Sequence, residues 1–559
     1  MKFLRKMSFL LLASGLALGQ TSAPAAGPDD QNSVASELKA LREAIAAQQK
    51  QIAEQQAQIE KLQKQSAAST DSSSSPRLLD ANLKVAGPTT VSTYAQDKGD
   101  KESPLSFRIG AAEFTPGGFI DFENVFRSTN TGNVTATNFW AIPYSNTVGG
   151  HLTEYRSTGQ YSRFSLKTHA KFGENDISGY LEFDFNGNDA VNVFVTSNPH
   201  TDRIRLYFMD LKRHKWEFLG GQVWGLQTPN RVGVGSWPSD LALTYGEDAQ
   251  VHVGVNYTRA AAFRAAYHFN DQWVWAAEIQ NPQQFGGQGA EVIFPAAFNA
   301  ALSVQVDQAN NAGAPNVAPD FLTKVAFDKN VMGGRHFHWE GGALMTTAKV
   351  TVVPTTAGAT FTSHSTVGGG MMTAMNFELW KGADNRNFAF VGNGMWGYGI
   401  GRYLIGMGPQ FVVAPVNASG ATCAIVAGSA VGCDVKTSGV HAGDMTLGFE
   451  ARPHPKTQLG IYYGGAYFQR NFFPDITSTA VVKPFIGFGG PNSNNANNRA
   501  IQEGTFDWTQ TFWKNPQYGA LLLVTQFSYV TRSPWFVPLG APKNAHLGMG
   551  YVSLRYVLP

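Results

Sequence analysis

The chain is poor in charge and in cysteine, and beyond its N-terminus it carries no long apolar run. Charged residues are 15% of 559, against about 25% in soluble domains. The net charge of +2 gives no global signature of nucleic-acid binding. No later stretch reaches the about 18 apolar residues of a membrane helix, which excludes a helical span. No nucleotide-binding loop occurs, so energy coupling is not indicated. No Ser/His/Asp arrangement stands out, and an enzyme is not expected. The two cysteines, Cys423 and Cys433, stand in ATCAIVAGSAVGCD. No third Cys or His sits at ligand spacing, so neither a metal centre nor a reactive thiol is implied. No cofactor is expected.

What is present begins with a secretory signal over 1–26. Lys2, Arg5 and Lys6 precede the apolar segment Met7–Leu18, and small residues from Gly19 to Ala26 offer cleavage points. Export to an oxidising compartment makes a Cys423–Cys433 disulfide the expected state.

Residues 33–65 then read as a periplasmic coiled coil free of Gly and Pro. Leu38, Ile45, Ile52 and Ile59 recur every seven residues, and Leu41, Gln48, Gln55 and Leu62 fill the second seam. The Gln layers break the Ile/Leu pattern of a simple dimer and set register at some cost in stability. The pattern allows two or three strands. Residues 66–106 are a Ser-rich linker and tether.

From 107 to 559 the period changes to two. Arg163–Phe172 (RFSLKTHAKF) alternates polar and apolar side chains except at Thr168, and RIRLYF from Arg203 and VHVGV from Val251 begin in the same way. Connections alternate short and long. Short ones include GEND from Gly173, KRHK from Lys212, RPHPK from Arg452 and TRSP from Thr531. Long ones include Gly225–Asp248, Pro282–Pro319 and Asn471–Asn515. An exported chain with no membrane helix can still satisfy every backbone group in lipid by closing a barrel. About sixteen antiparallel strands are expected, among them strands starting near Gly118, Gln250, Gln517 and Trp535. The fold class is an all-β transmembrane barrel preceded by an α-helical coiled coil.

These parts, with Gly221-Gln222-Val223-Trp224, the closing hairpin SYVTRSPW and the last strand GYVSLRY, resemble the DcaP-like trimeric porins of Gram-negative outer membranes. Phosphate-selective porins share much of this plan. The resemblance implies a homotrimer, a passive channel, small anionic solutes such as dicarboxylates, and a constriction loop. The chain departs from the usual aromatic ending of such barrels, since it closes on Arg555-Tyr556-Val557-Leu558-Pro559.

Alternation points Arg163, Lys167, His169 and Lys171 into the lumen, with Arg203, Arg205 and Arg555. Asp121, Glu123, Glu182 and Asp184 point inward between them. Two readings stand: the charges neutralise one another across strands, or a basic sector selects anions. Gly225–Asp248, with Arg231 and Asp240, is expected to fold inward and narrow the pore. His336, His338 and Glu340 share one strand face and read as polar lumen residues. The function expected is an outer-membrane porin in contact with lipid, with the coiled coil clamping a trimer. The alternative is a structural envelope protein whose coil touches the cell wall.

Overall fold

Side chains that alternate in character along an extended chain give a sheet two unlike faces, and closing that sheet removes its edges. The computed structural model describes residue 103 onward, apart from 132–135, 188–200, 243–247, 249–250, 283–291, 294–317, 353–361, 406, 418–423, 427–428, 432, 477 and 479. The expected signal peptide, the coiled coil, most of the linker and the Cys423–Cys433 bridge lie outside these residues.

Sixteen antiparallel strands form the wall. They are β1 (Ala112–Arg127), β2 (Arg163–Phe172), β3 (Asn175–Asp184), β4 (Arg203–Arg213), β5 (Trp216–Trp224), β6 (Arg259–His268), β7 (Trp273–Gln280) and β8 (Asp320–Val331). They continue as β9 (Arg335–Val352), β10 (Thr362–Lys381), β11 (Asn387–Tyr398), β12 (His441–His454), β13 (Thr457–Phe468), β14 (Asn498–Asn515), β15 (Gly519–Pro534) and β16 (Ala545–Val557). Each pairs with the next, and β1 closes on β16, with Phe119 opposite Val557 and Arg127 opposite Met549. A short strand, Glu154–Thr158, continues β2 beyond a break and pairs with the upper half of β1.

The two faces are inverted relative to a soluble protein. Ile120, Phe122, Tyr207, Phe263, Phe449, Ile461, Phe527 and Leu554 are exposed on the outside. Asp121, Glu123, Arg205, Glu278, Lys324, Glu450, Glu503 and Arg555 are buried within. An apolar exterior around a polar interior fits lipid outside and water inside. Among the described residues no helix is long and apolar enough to cross a membrane.

The structure corrects the expected strand list at two places. Val251–Val255 is not part of the wall; the sixth strand starts at Arg259, and the residues before it lie inside the barrel. The second place is the stretch expected to be a long loop, which contains β14, while β15 runs through Thr531–Pro534 where a turn and a new strand at Trp535 were expected. The missed strand offsets the extra one, so the count stays at sixteen. β14 escaped notice because its outward positions Gln502 and Gly504 are not apolar.

Gly221 shows why one local motif is needed. Its φ is +143°, and a Cβ there would collide with the Tyr207 carbonyl across the β4–β5 pair. The neighbouring Gln222 side chain donates to the Arg205 carbonyl at 2.7 Å, covering the register shift that lets both Arg205 and Leu206 face inward. Val223 is fully buried, and Trp224 ends the strand where the chain leaves the wall. At the C-terminus the Tyr556 hydroxyl donates to the Tyr518 carbonyl at 2.6 Å.

Candidate functional site: the lumen and its inward loop

The connection from β5 to β6, residues 225–258, crosses the lumen. Its descending limb is held by charges on β8 and β9. Lys324 Nζ donates to the Thr228 carbonyl and pairs with Glu340, both at 2.9 Å. Glu340 accepts the Asn230 backbone N–H at 3.3 Å, and Asp328 accepts that of Gly233 at 2.9 Å. Arg264 on β6 donates to the carbonyls of Val234 and Trp224 at 2.6 Å. His336 and His338 join this anchor. His338 sits between Asp328 (2.9 Å) and Glu340 (3.2 Å), and His336 lies 3.1 Å from the Arg231 carbonyl.

Arg231 reaches furthest. Its guanidinium grips both oxygens of Glu450 on β12 at 2.7 Å, and the Tyr462 hydroxyl donates to the same carboxylate at 2.8 Å. β12 stands seven strands from β5 around a sixteen-strand wall, so this contact spans the barrel. The loop then returns. Trp237 packs against Tyr180 and Phe208 at 5.5 and 5.0 Å, with the Lys167 ammonium 5.0 Å from its ring. Asp240 accepts the Arg231 backbone N–H through its carbonyl at 2.6 Å, closing the limb into a hairpin-like turn.

The second half of the loop seals against β11–β16. Asp248 accepts the Tyr551 hydroxyl at 2.9 Å, and its backbone N–H donates to Gln526 at 3.0 Å. Glu503 accepts the Val253 N–H at 2.8 Å, Asn256 donates to Asp444 at 2.7 Å, and Asn393 donates to the Gly254 carbonyl at 2.6 Å. Tyr257 packs on Trp224, and burial pushes its hydroxyl up to about 12, so it remains neutral.

The remaining sequence-selected residues gather on β2–β4 and β16. Arg203 and Arg205 share Asp184 at 2.7 and 2.9 Å, and Arg205 also pairs with Glu182 at 2.7 Å. Arg555 meets Asp121 at 2.9 Å across the closing strand pair. Arg163 and Arg555 both stack over Phe119, at 5.5 and 4.3 Å, which places β16 and β2 in one sector. Accessibility separates these groups. Asp121, Glu123, Glu182 and Asp184 are buried, as are Arg205, Arg231 and Arg555. Lys167 and Lys171 are exposed, and Arg163 and Arg203 are partly so.

Sequence reasoning missed the far anchors of the loop, Glu450, Asp444, Glu503, Asp328 and Lys324. Their signal was available: each is a charged residue on the inward parity of an alternating strand. What it could not name was the partner.

No protein-family model and no curated protein sequence matches the chain. A solved structure shares its fold. The outer membrane channel DcaP of Acinetobacter baumannii aligns over 81% of this chain and all of its own, at 14% identity and a TM-score of 0.52. OprB of Pseudomonas putida aligns over 79% of this chain and 94% of its own, at 11% identity and a TM-score of 0.41. An anion-selective porin from Comamonas acidovorans aligns over 80% and 100%, at 8% identity and a TM-score of 0.40. The expected DcaP-like barrel fold is the one the structure has.

Proposed function

We propose that the protein is an outer-membrane porin of a Gram-negative bacterium, a passive channel for small hydrophilic solutes that favours anions such as dicarboxylates. The closed barrel with an apolar exterior supports a membrane channel, and so does its likeness in fold, over 81% of this chain, to the DcaP channel. The observation that carries the anion preference is the unequal exposure of charge in the β2–β4 sector. There Glu182 and Asp184 are buried beneath arginines and the partly exposed Asp176 is paired with His169 and Lys171, while Lys167, Lys171 and Arg203 keep contact with solvent. A solute in the lumen therefore meets cationic groups first, and rings of exposed charge set ionic preference. The inward loop narrows the path and brings solutes near Lys167. Transport of this kind needs no catalytic group. A homotrimer clamped by the 33–65 coil completes the reading.

The test is the zero-current potential of the purified full-length chain in planar bilayers under a salt gradient. An anion-preferring sign is expected, and Lys167→Glu with Lys171→Glu should move it toward cations. A wild-type pore that strongly prefers cations would overturn the anion preference, and absence of conductance would overturn the channel itself.

A further inference from the structure

Above the apolar belt, at the end of the barrel with the long connections, two exposed arginines flank one tryptophan on the outer wall. Trp535 follows β15 and is fixed by two hydrogen bonds. Its indole N–H donates to the Phe468 carbonyl and its backbone N–H to the Asn497 carbonyl, both at 2.9 Å. The Arg470 guanidinium lies 4.3 Å from the Trp535 ring centroid, and that of Arg499 lies 6.0 Å away. Arg499 is the extra residue of β14, where the register shifts between Asn498 and Ala500. Both side chains are exposed, and among the described residues neither has a carboxylate within ion-pair distance.

Their height on the wall is set by aromatic neighbours. Tyr467 meets Trp535 edge-on at 6.0 Å, and Trp396 stacks on Tyr467 at 6.3 Å. Outward Trp and Tyr side chains at a strand end mark the membrane–water interface. Further along β13 the outward residues are Tyr463 and Ile461, facing lipid tails. The arginines thus stand one step beyond the aromatic row, at the level of lipid headgroups. An exposed arginine on a mobile stem loses rotamer entropy on binding. These two are already held by the indole face, which lowers that loss. Guanidinium offers a planar fork that matches phosphate oxygens two at a time.

We infer that Arg470, Trp535 and Arg499 form a site for the phosphate of an anionic lipid headgroup in the leaflet at the long-connection end. The inference rests on the membrane-barrel reading but not on conduction, because the site lies on the outer wall rather than in the lumen. A dissolved phosphate has the same chemistry, yet it lacks the tails that would lie on Tyr463 and Ile461. The lipid is therefore the favoured source.

The test titrates the full-length chain in neutral detergent with short-chain phosphatidic acid, with the matching diacylglycerol and with inorganic phosphate, reading bound lipid by native mass spectrometry. Phosphatidic acid is expected to bind and diacylglycerol is not. Arg470→Gln with Arg499→Gln should weaken binding by about fivefold per arginine, the effect of one basic residue near an anionic surface. Equal binding of both lipids by the wild type, equal binding of phosphatidic acid by the double variant, or displacement by an equal concentration of inorganic phosphate would each overturn the site. The wild-type comparison of the two lipids needs no variant to fold. Conductance of the same preparation separates the two readings. A conducting chain that does not distinguish the lipids loses only this site, whereas one that distinguishes them without conducting loses only the channel.

Discussion

Arg231 and Glu450 are 219 residues apart in sequence, and their bidentate contact decides where the inward loop ends. Both are buried, so removing one breaks a buried ion pair, at a cost of about 3–5 kcal/mol. The loop can relieve that cost by swinging off the far wall. Arg231→Ala is therefore expected to raise single-channel conductance while the barrel persists, and unchanged conductance would show that the loop does not set the narrowest point. Gly221 makes a different demand. Alanine there must adopt a φ that costs of order 1–3 kcal/mol and must also displace the Tyr207 carbonyl. Gly221→Ala should lower the temperature at which the barrel unfolds on a heat-modifiability gel. Gly220→Ala, where a Cβ meets only the Phe263 ring at 3.9 Å, should leave it unchanged.

A wall strand is legible because its geometry is local. On β15, Leu521, Leu523, Phe527 and Tyr529 fall on the outer face, and Leu522, Val524, Gln526 and Ser528 on the inner. Phe527→Arg, near the middle of that strand, should cost about 2–4 kcal/mol, the penalty for arginine at the bilayer midplane. Folding into vesicles followed against denaturant checks this, and a neutral result would mean that β15 does not face lipid. The 225–258 loop is an element of another kind. Among its described residues it has almost no strand pairing of its own, and these are held by anchors on β8, β9, β12, β14 and β16. Val251–Val255 alternates like a strand, but its backbone groups find Glu503, Asn393 and Thr446 instead of a neighbouring strand.

For the whole molecule, the proposed trimer depends on a segment outside the described residues. Gln48→Leu with Gln55→Leu replaces two polar seam layers by apolar ones, which should change the stability or the strand number of the oligomer. Cross-linking and mass measurement of the purified protein give the readout, and no change in either would undo the clamp. Conduction per barrel should survive this change, because the lumen is built within one chain by the closure of β1 on β16.

The sequence by itself determined the barrel and the inward direction of Arg163, Lys167, Arg203, Arg205 and Arg555, because a period of two is a property of each extended segment alone; its strand number came out at sixteen only because a missed strand and an extra one cancelled. It also located the loop that enters the lumen. Tertiary structure alone decided what those charges meet. Arg205 lies on Glu182 and Asp184, Arg555 on Asp121 and Arg231 on Glu450, while the exposed Lys171 meets Asp176 and the exposed Lys167 lies over Trp237. Burial and pairing arise only when distant strands close into one wall, and no local pattern specifies which carboxylate will stand across the lumen.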